Sequence, residues 1–346
     1  MQQASDSTLK RLKASVRRLI RASGYDVVPV APRDPRYGGA SYDASQQLPP
    51  GAAEALRPDH PRLHELREAY ARVELPMARP TMWGGDYLKD ELELTRFRGD
   101  NPYVWQFRNV GAFAQYKYYF YMRDVAQCDR HDLLHRLTED GAFGCWTFAY
   151  PGWPVVSRDL LDSINELCFL DRHTGILDRP GFTVLDVGAG YGRLAHRALA
   201  AAPQLGRYLC ADAIPESTFL CEYYLGFRNC LDRAEVLPLH QLDERLRGRT
   251  IDLAVNIHSF SEMPTRAIDG WMQRIASLGA EWLLVVPNDG ERLLTMEEDR
   301  SRTSFDAVID AHGYTLELKE PVFADPTMRA FMGVTDHFFL YRRRGK

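Results

Sequence analysis

Apolar residues along this chain change their period near residue 180. Upstream, the runs RLHELREAYARVEL, HDLLHRL and SRDLLDSINELCFLDRHTGIL repeat apolar positions at three- and four-residue spacing, the period of a helix with one buried face. In the last run Leu160, Leu161, Ile164, Leu167 and Cys168 form one stripe, and Ser157 stands where an N-cap is expected. Nearer the start, Leu9, Leu12, Val16, Leu19 and Ile20 line one side of LKRLKASVRRLIR, with basic residues opposite. Such a helix is expected to pack on its own protein or on a second copy, which makes a homodimer an expectation. Residues 34–51 are rich in Pro, Gly and Ser and read as a linker or loop.

Downstream of Pro180, short apolar runs alternate with helical segments. FTVLDV, RYLCAD, AEVLPL, IDLAVNI and WLLVVP read as strands, and GRLAHRALAAA and ESTFLCEYYLGF as helices between them. This rhythm predicts a parallel sheet with helices on both faces. YTLELKEP and HFFLYRRR follow a helix around 305–312. With no helix predicted between them, they are expected to form an antiparallel edge pair. The predicted class is therefore α/β: a Rossmann-like, mostly parallel seven-stranded sheet over 179–346, behind a mainly helical region over 1–178.

Charge and composition narrow the partners. The 346 residues carry 43 Lys and Arg against 47 Asp and Glu, a net charge of -4, which argues against nucleic acid as main partner. A hydrophobic content of 45% at low net charge excludes intrinsic disorder. No apolar run approaches the roughly 18 residues of a membrane span. The start, MQQASDSTLKRLKAS, lacks a secretory apolar stretch, so a cytoplasmic location is expected. Cysteines 128, 145, 168, 210, 221 and 230 include no C-x-x-C pair, and buried free thiols are expected rather than a zinc site or disulfides.

The chemistry is concentrated in Asp186-Val187-Gly188-Ala189-Gly190-Tyr191-Gly192, between the first strand and the first helix of the α/β half. Glycines there let the backbone turn sharply and approach a ligand. The nicotinamide-type fingerprint is G-x-G-x-x-G. Here the third glycine comes one position earlier, which suits a cofactor without a pyrophosphate. Asp212 ends the second strand, 212 − 188 = 24 positions after the first glycine, close to the roughly 20 at which an acid meets ribose hydroxyls in such folds. A carboxylate accepts from both hydroxyls of a vicinal diol.

These residues resemble the class I S-adenosylmethionine-dependent methyltransferases, over about 182–343. The resemblance implies that Asp186, Gly188, Ala189, Gly190, Tyr191 and Gly192 hold the methionine part of that cofactor. It further implies that Asp212 meets the ribose with Ala213 also cofactor-binding, that His240, Gln241 and Leu242 flank adenine, and that Asn256 through Glu262 border the methyl group. The run Asn256-Ile257-His258-Ser259-Phe260-Ser261-Glu262-Met263, with GAGYGRLA and DSINE, is similar to a bacterial group described as sugar O-methyltransferases. That similarity implies a hydroxyl of a sugar or glycosylated small molecule as acceptor.

Such a hydroxyl is a weak nucleophile until its proton begins to leave, and His258, just past an apolar strand, is the candidate general base. Glu262 lies four residues on. If the segment turns helical, both side chains share a face, and the carboxylate orients the imidazole or binds the acceptor. A divalent metal held by Glu262 and Asp289 is the less favoured alternative, since no tight cluster of oxygen ligands is visible. Aromatic residues of the segment 96–109 and of the run from Tyr116 to Tyr121 are candidate pocket walls. Three rivals remain open on the sequence: transfer to an amine nitrogen of an aminosugar, a non-catalytic cofactor-binding subunit, and a dehydrogenase.

Overall fold

The computed structural model describes residues 48–78, 83, 92–99 and 114–345. The basic helix expected over 9–21, most of the loop 34–51 and most of the proposed wall 96–109 lie outside the described residues. The helical half contributes α1 (Pro61–Ala71), α2 (Ala114–Cys128) and α3 (Arg158–Thr174). HDLLHRL contracts to a single turn, Leu133–Arg136.

The α/β half runs β1 (Thr183–Val187), α4 (Arg193–Ala201), β2 (Arg207–Ala211), α5 (Pro215–Phe227), β3 (Ala234–Leu237) and α6 (Leu242–Leu246). It continues with β4 (Leu253–Ile257), α7 (Thr265–Ser277), β5 (Trp282–Val286), α8 (Asp306–Ala311), β6 (Tyr314–Pro321), α9 (Pro326–Met332) and β7 (His337–Arg343). The sheet order is β3-β2-β1-β4-β5-β7-β6. Strands β1 to β5 are parallel, and β7 is antiparallel to both of its neighbours. This is the predicted Rossmann-like α/β sheet. Every residue of β5 is buried, as expected for a strand covered on both faces.

One expectation needs correction. The antiparallel edge pair is present, but α9 stands between its strands. Asp325 caps α9 by accepting from the Thr327 and Met328 N–H groups at 2.6 and 3.0 Å, Pro326 occupies its first turn, and Gly333 ends it at φ 72°. An acid cap, an early proline and a left-handed glycine form a complete start-and-stop signal.

α3 joins the two halves. Ser157 caps it, accepting from the Leu160 N–H at 3.0 Å as predicted. Leu160, Leu161, Ile164 and Leu167 are buried, while Cys168 is only partly so. Buried apolar residues on both sides of position 178 form one continuous core. A buried charge cluster sits at the same junction. Arg98 and Arg197, both fully buried, clasp Asp159 at 3.1 and 3.0 Å and Glu139 at 2.8 Å each. No described helix is long and apolar enough to cross a membrane.

Candidate active site

The strand order reverses between β1 and β4, and in open α/β sheets ligands bind beyond the carboxyl ends of the strands at that point. A cavity of about 420 Å³ opens there, within the roughly 300–1,000 Å³ usual for small-molecule sites. Its floor is the glycine turn after β1, the segment after β2 and the turn after β4. α3 and the β6–β7 connection wall it.

A side chain at either of two glycines of the turn would collide with protein, although Gly188 also borders the cavity. Gly188, at φ 77°, lies so near the turn after β4 that an added Cβ would collide with Ser259. Gly192, at φ 85°, lets α5 pack close, since a Cβ there would meet Leu225 and Cys221 at 3.0 and 3.1 Å. Gly190 differs: its N–H donates to Asp212 Oδ2 at 3.0 Å, tying the turn to the end of β2.

Asp186, Ala189, Tyr191, Asp212 and Ala213 border the same cavity. Burial pushes the Asp212 carboxyl up to about 7, against the pull of the Ile214 and Gly190 N–H groups, and the Glu262 charge raises it further. Burial likewise pushes Asp186 up to about 7, although the Tyr208 hydroxyl donates to it at 3.0 Å. Taking a carboxylate out of water disfavours its charged form. Trp271 also borders the cavity, and its buried indole N–H has no partner among the described residues. A ligand acceptor atom there would satisfy it. An adenosyl cofactor with an amino-acid tail fits this set: a diol acceptor at Asp212, a second carboxylate at Asp186 and an unspent donor at Trp271.

Asn256 does not line the cavity. Fully buried, its amide donates to the Val187 carbonyl at 2.8 Å and to Ser259 Oγ at 2.5 Å, and its carbonyl accepts from the Phe260 N–H at 2.9 Å. It positions the β4 turn against the end of β1. Gln241 also stands outside the lining; its amide lies 3.2 Å from His240 Nε2.

His258 borders the cavity with its backbone at φ 67° and ψ -35°, a conformation non-glycine residues rarely adopt. Its N–H donates to the Val286 carbonyl at 2.7 Å, so β5 holds it there. Such outliers cluster at functional sites because the surroundings must enforce them. His258 and Glu262 both border the cavity but do not share the face of an α-helix. Residues Ser259–Glu262 form a 3₁₀ turn rather than an α-helix. At three residues per turn, side chains four apart no longer share a face. Glu262 instead accepts from Trp83 Nε1 at 2.8 Å and Asn288 Nδ2 at 3.2 Å. The carboxylate beside His258 is Asp336, with Oδ2 3.4 Å from Nε2.

The metal alternative gains no support from side-chain placement. Asp289 pairs with Arg292 at 2.8 Å and does not line the cavity. Among the described residues the group with ligand-like spacing is His131, Asp171 and Asp178, none of which borders it.

Several cavity residues had no individual signal in the sequence. Arg193 fixes α3 over the glycine turn through two bonds to Glu166, at 2.8 and 2.9 Å. Tyr191, which the glycine motif had marked, donates to Asp159, whereas Asn165, with no such mark, donates from Nδ2 to the Val322 carbonyl at 3.0 Å. The DSINE run is therefore part of the site wall. Of the aromatic run, Tyr118 and Tyr121 border the cavity, whereas Tyr116 and Phe120 are exposed.

No protein-family model matches the chain, and no curated protein does. Solved structures share part of its shape. One is an S-adenosylmethionine-dependent methyltransferase from Aquifex aeolicus, 16% identical over 51% of this chain and 88% of that one, with a TM-score of 0.37. Another is the O-methyltransferase of a Brevibacillus brevis polyketide synthase, solved with S-adenosyl-L-homocysteine. It is 13% identical over 47% of this chain and 66% of that one, with a TM-score of 0.35. A third is the cyclase SpnF, 13% identical over 65% of this chain and 94% of that one, at a TM-score of 0.37. Function rests on the site's own geometry.

Proposed function

We propose that this chain is an S-adenosylmethionine-dependent O-methyltransferase acting on a hydroxyl of a sugar or glycosylated small molecule. The supporting observation is that the glycine turn, the carboxylates of Asp186 and Asp212, and the imidazole of His258 all border one cavity. S-adenosylmethionine, when bound, supplies an already activated methyl group. The chain's task is then to hold, align and deprotonate.

Asp212 accepts from the ribose hydroxyls, and Asp186 with Gly188 to Gly192 holds the methionine end. Ala213, which borders the cavity, lies on the adenosine side. The region before 179 covers the site through α2 and α3 and shapes the acceptor pocket, while 179–346 binds the cofactor. His258 takes the acceptor proton. Asp336, beside Nε2, favours the tautomer protonated there and leaves Nδ1 as the accepting nitrogen.

Incubation with methyl-labelled cofactor and a panel of glycosides tests this. His258→Ala should lower kcat by about 10²–10⁴, the usual range for a general base, while calorimetry shows cofactor affinity unchanged. Transfer to amines or carboxylates with none to hydroxyls would defeat the acceptor class.

A further inference from the structure

Trp271 borders the cavity with its side chain buried, at 1% exposure, and its indole N–H meets no acceptor among the described residues. An indole nitrogen donates and cannot accept. A buried donor without a partner opposes folding, so the group calls for an acceptor from outside the chain.

The partners of α7 show on which flank the indole stands. Arg274, three residues on and so on the same side of the helix, holds Asp243 of α6 through two bonds at 2.6 and 2.8 Å. Asp269 stands about 200° around the helix from Trp271 and reaches His312, just past α8, at 2.8 Å. Trp271 is therefore on the α6 flank of α7. α6 begins at Leu242, in the segment that the methyltransferase resemblance sets beside adenine.

Ile214 and Met263, both buried, give the cavity apolar walls. Such walls suit the faces of a flat base, whose polarity is confined to its edge. Ring nitrogens of adenine accept hydrogen bonds there, which a donor-only indole complements. The carboxylates of Asp186 and Asp212, when ionised, accept and cannot donate, so they serve the hydroxyl- and ammonium-bearing parts of the same molecule.

We propose that the Trp271 indole N–H donates to a ring nitrogen of the cofactor's adenine, making Trp271 the residue that reads the purine edge. This rests on the cofactor of the function proposed above and is independent of the acceptor.

Calorimetry with S-adenosylhomocysteine and its 1-, 3- and 7-deaza counterparts tests it, since each analogue replaces one ring nitrogen by C–H. On the wild-type chain at least one analogue should bind about tenfold more weakly than the parent. Trp271→Phe should bind that analogue and the parent alike, whereas a purely structural role would weaken all four compounds together. Thermal melting checks that the variant folds. If it does not, the wild-type nuclear magnetic resonance spectrum decides. One of the six indole N–H signals should then move downfield with the parent and not with the discriminating analogue. Penalties that are absent, or equal in both proteins, overturn this inference alone, as does an indole signal that no compound moves. Failure of the folded wild-type chain to bind S-adenosylhomocysteine defeats the proposed function as well.

Discussion

Asp212 is a carboxylate that burial keeps near the point of taking up a proton, and it anchors both the glycine turn and the start of α5. Its carboxyl is raised from 3.8 to about 7, so the folded chain holds a proton where the unfolded chain has lost it. The stability contributed by that proton is present at acid pH and declines as pH rises from about 4 through about 7. Asp212→Asn cannot ionise. Its melting temperature relative to wild type should therefore climb between pH 5 and pH 8, and a flat difference would refute the buried-acid account. Asp212→Ala should weaken cofactor binding about tenfold or more by calorimetry, since a hydrogen bond to a charged group contributes about 1.5–3 kcal/mol. Asn256 is a contrasting case. The sequence placed it at the cofactor, but its three bonds are all internal. Asn256→Ala leaves a buried carbonyl and N–H short of partners and should cost about 1–3 kcal/mol in denaturant unfolding.

At the scale of elements, the charge cluster of Arg98, Arg197, Asp159 and Glu139 clamps α3 to α4. Removing one member leaves buried charge uncompensated, so Arg197→Ala should destabilise by about 3–5 kcal/mol. The arginines hold Asp159 and Glu139 below the usual carboxylate range, against the opposing effect of burial. Their contribution is present above the unfolded values near 4 and is lost as pH falls below them. An acid titration followed by circular dichroism should show the wild type loosening below about pH 4, and the Arg197 variant at higher pH. Most elements were legible beforehand because periodicity and caps are local: the stripe on α3, its Ser157 cap and all seven strands. The helix α9 was equally local, in Asp325, Pro326 and Gly333, but lay hidden between two strong strand patterns. The 3₁₀ turn after β4 carried no such mark. Its geometry follows from β5 holding His258 and from Asn256 bonding Phe260.

For the whole molecule, the continuous core across position 178 means that the two halves stabilise one another. A ligand that binds only the folded chain stabilises it by about 2.7 kcal/mol at a hundred times its Kd. Saturating S-adenosylmethionine should therefore raise a single melting transition by several degrees, without splitting it in two.

The sequence alone determined the order of the seven strands, most of the helices between them, the glycine turn and the acid ending β2, because each depends on residues close together in the chain. Only the tertiary structure decided which distant groups meet. Asp336 reaches His258 from 336 − 258 = 78 positions away because β7 inserts antiparallel between β5 and β6. Glu166 reaches Arg193 because α3 folds back over the sheet. Neither pairing leaves a trace in local periodicity, since it is set by sheet order and core packing rather than by neighbours in sequence.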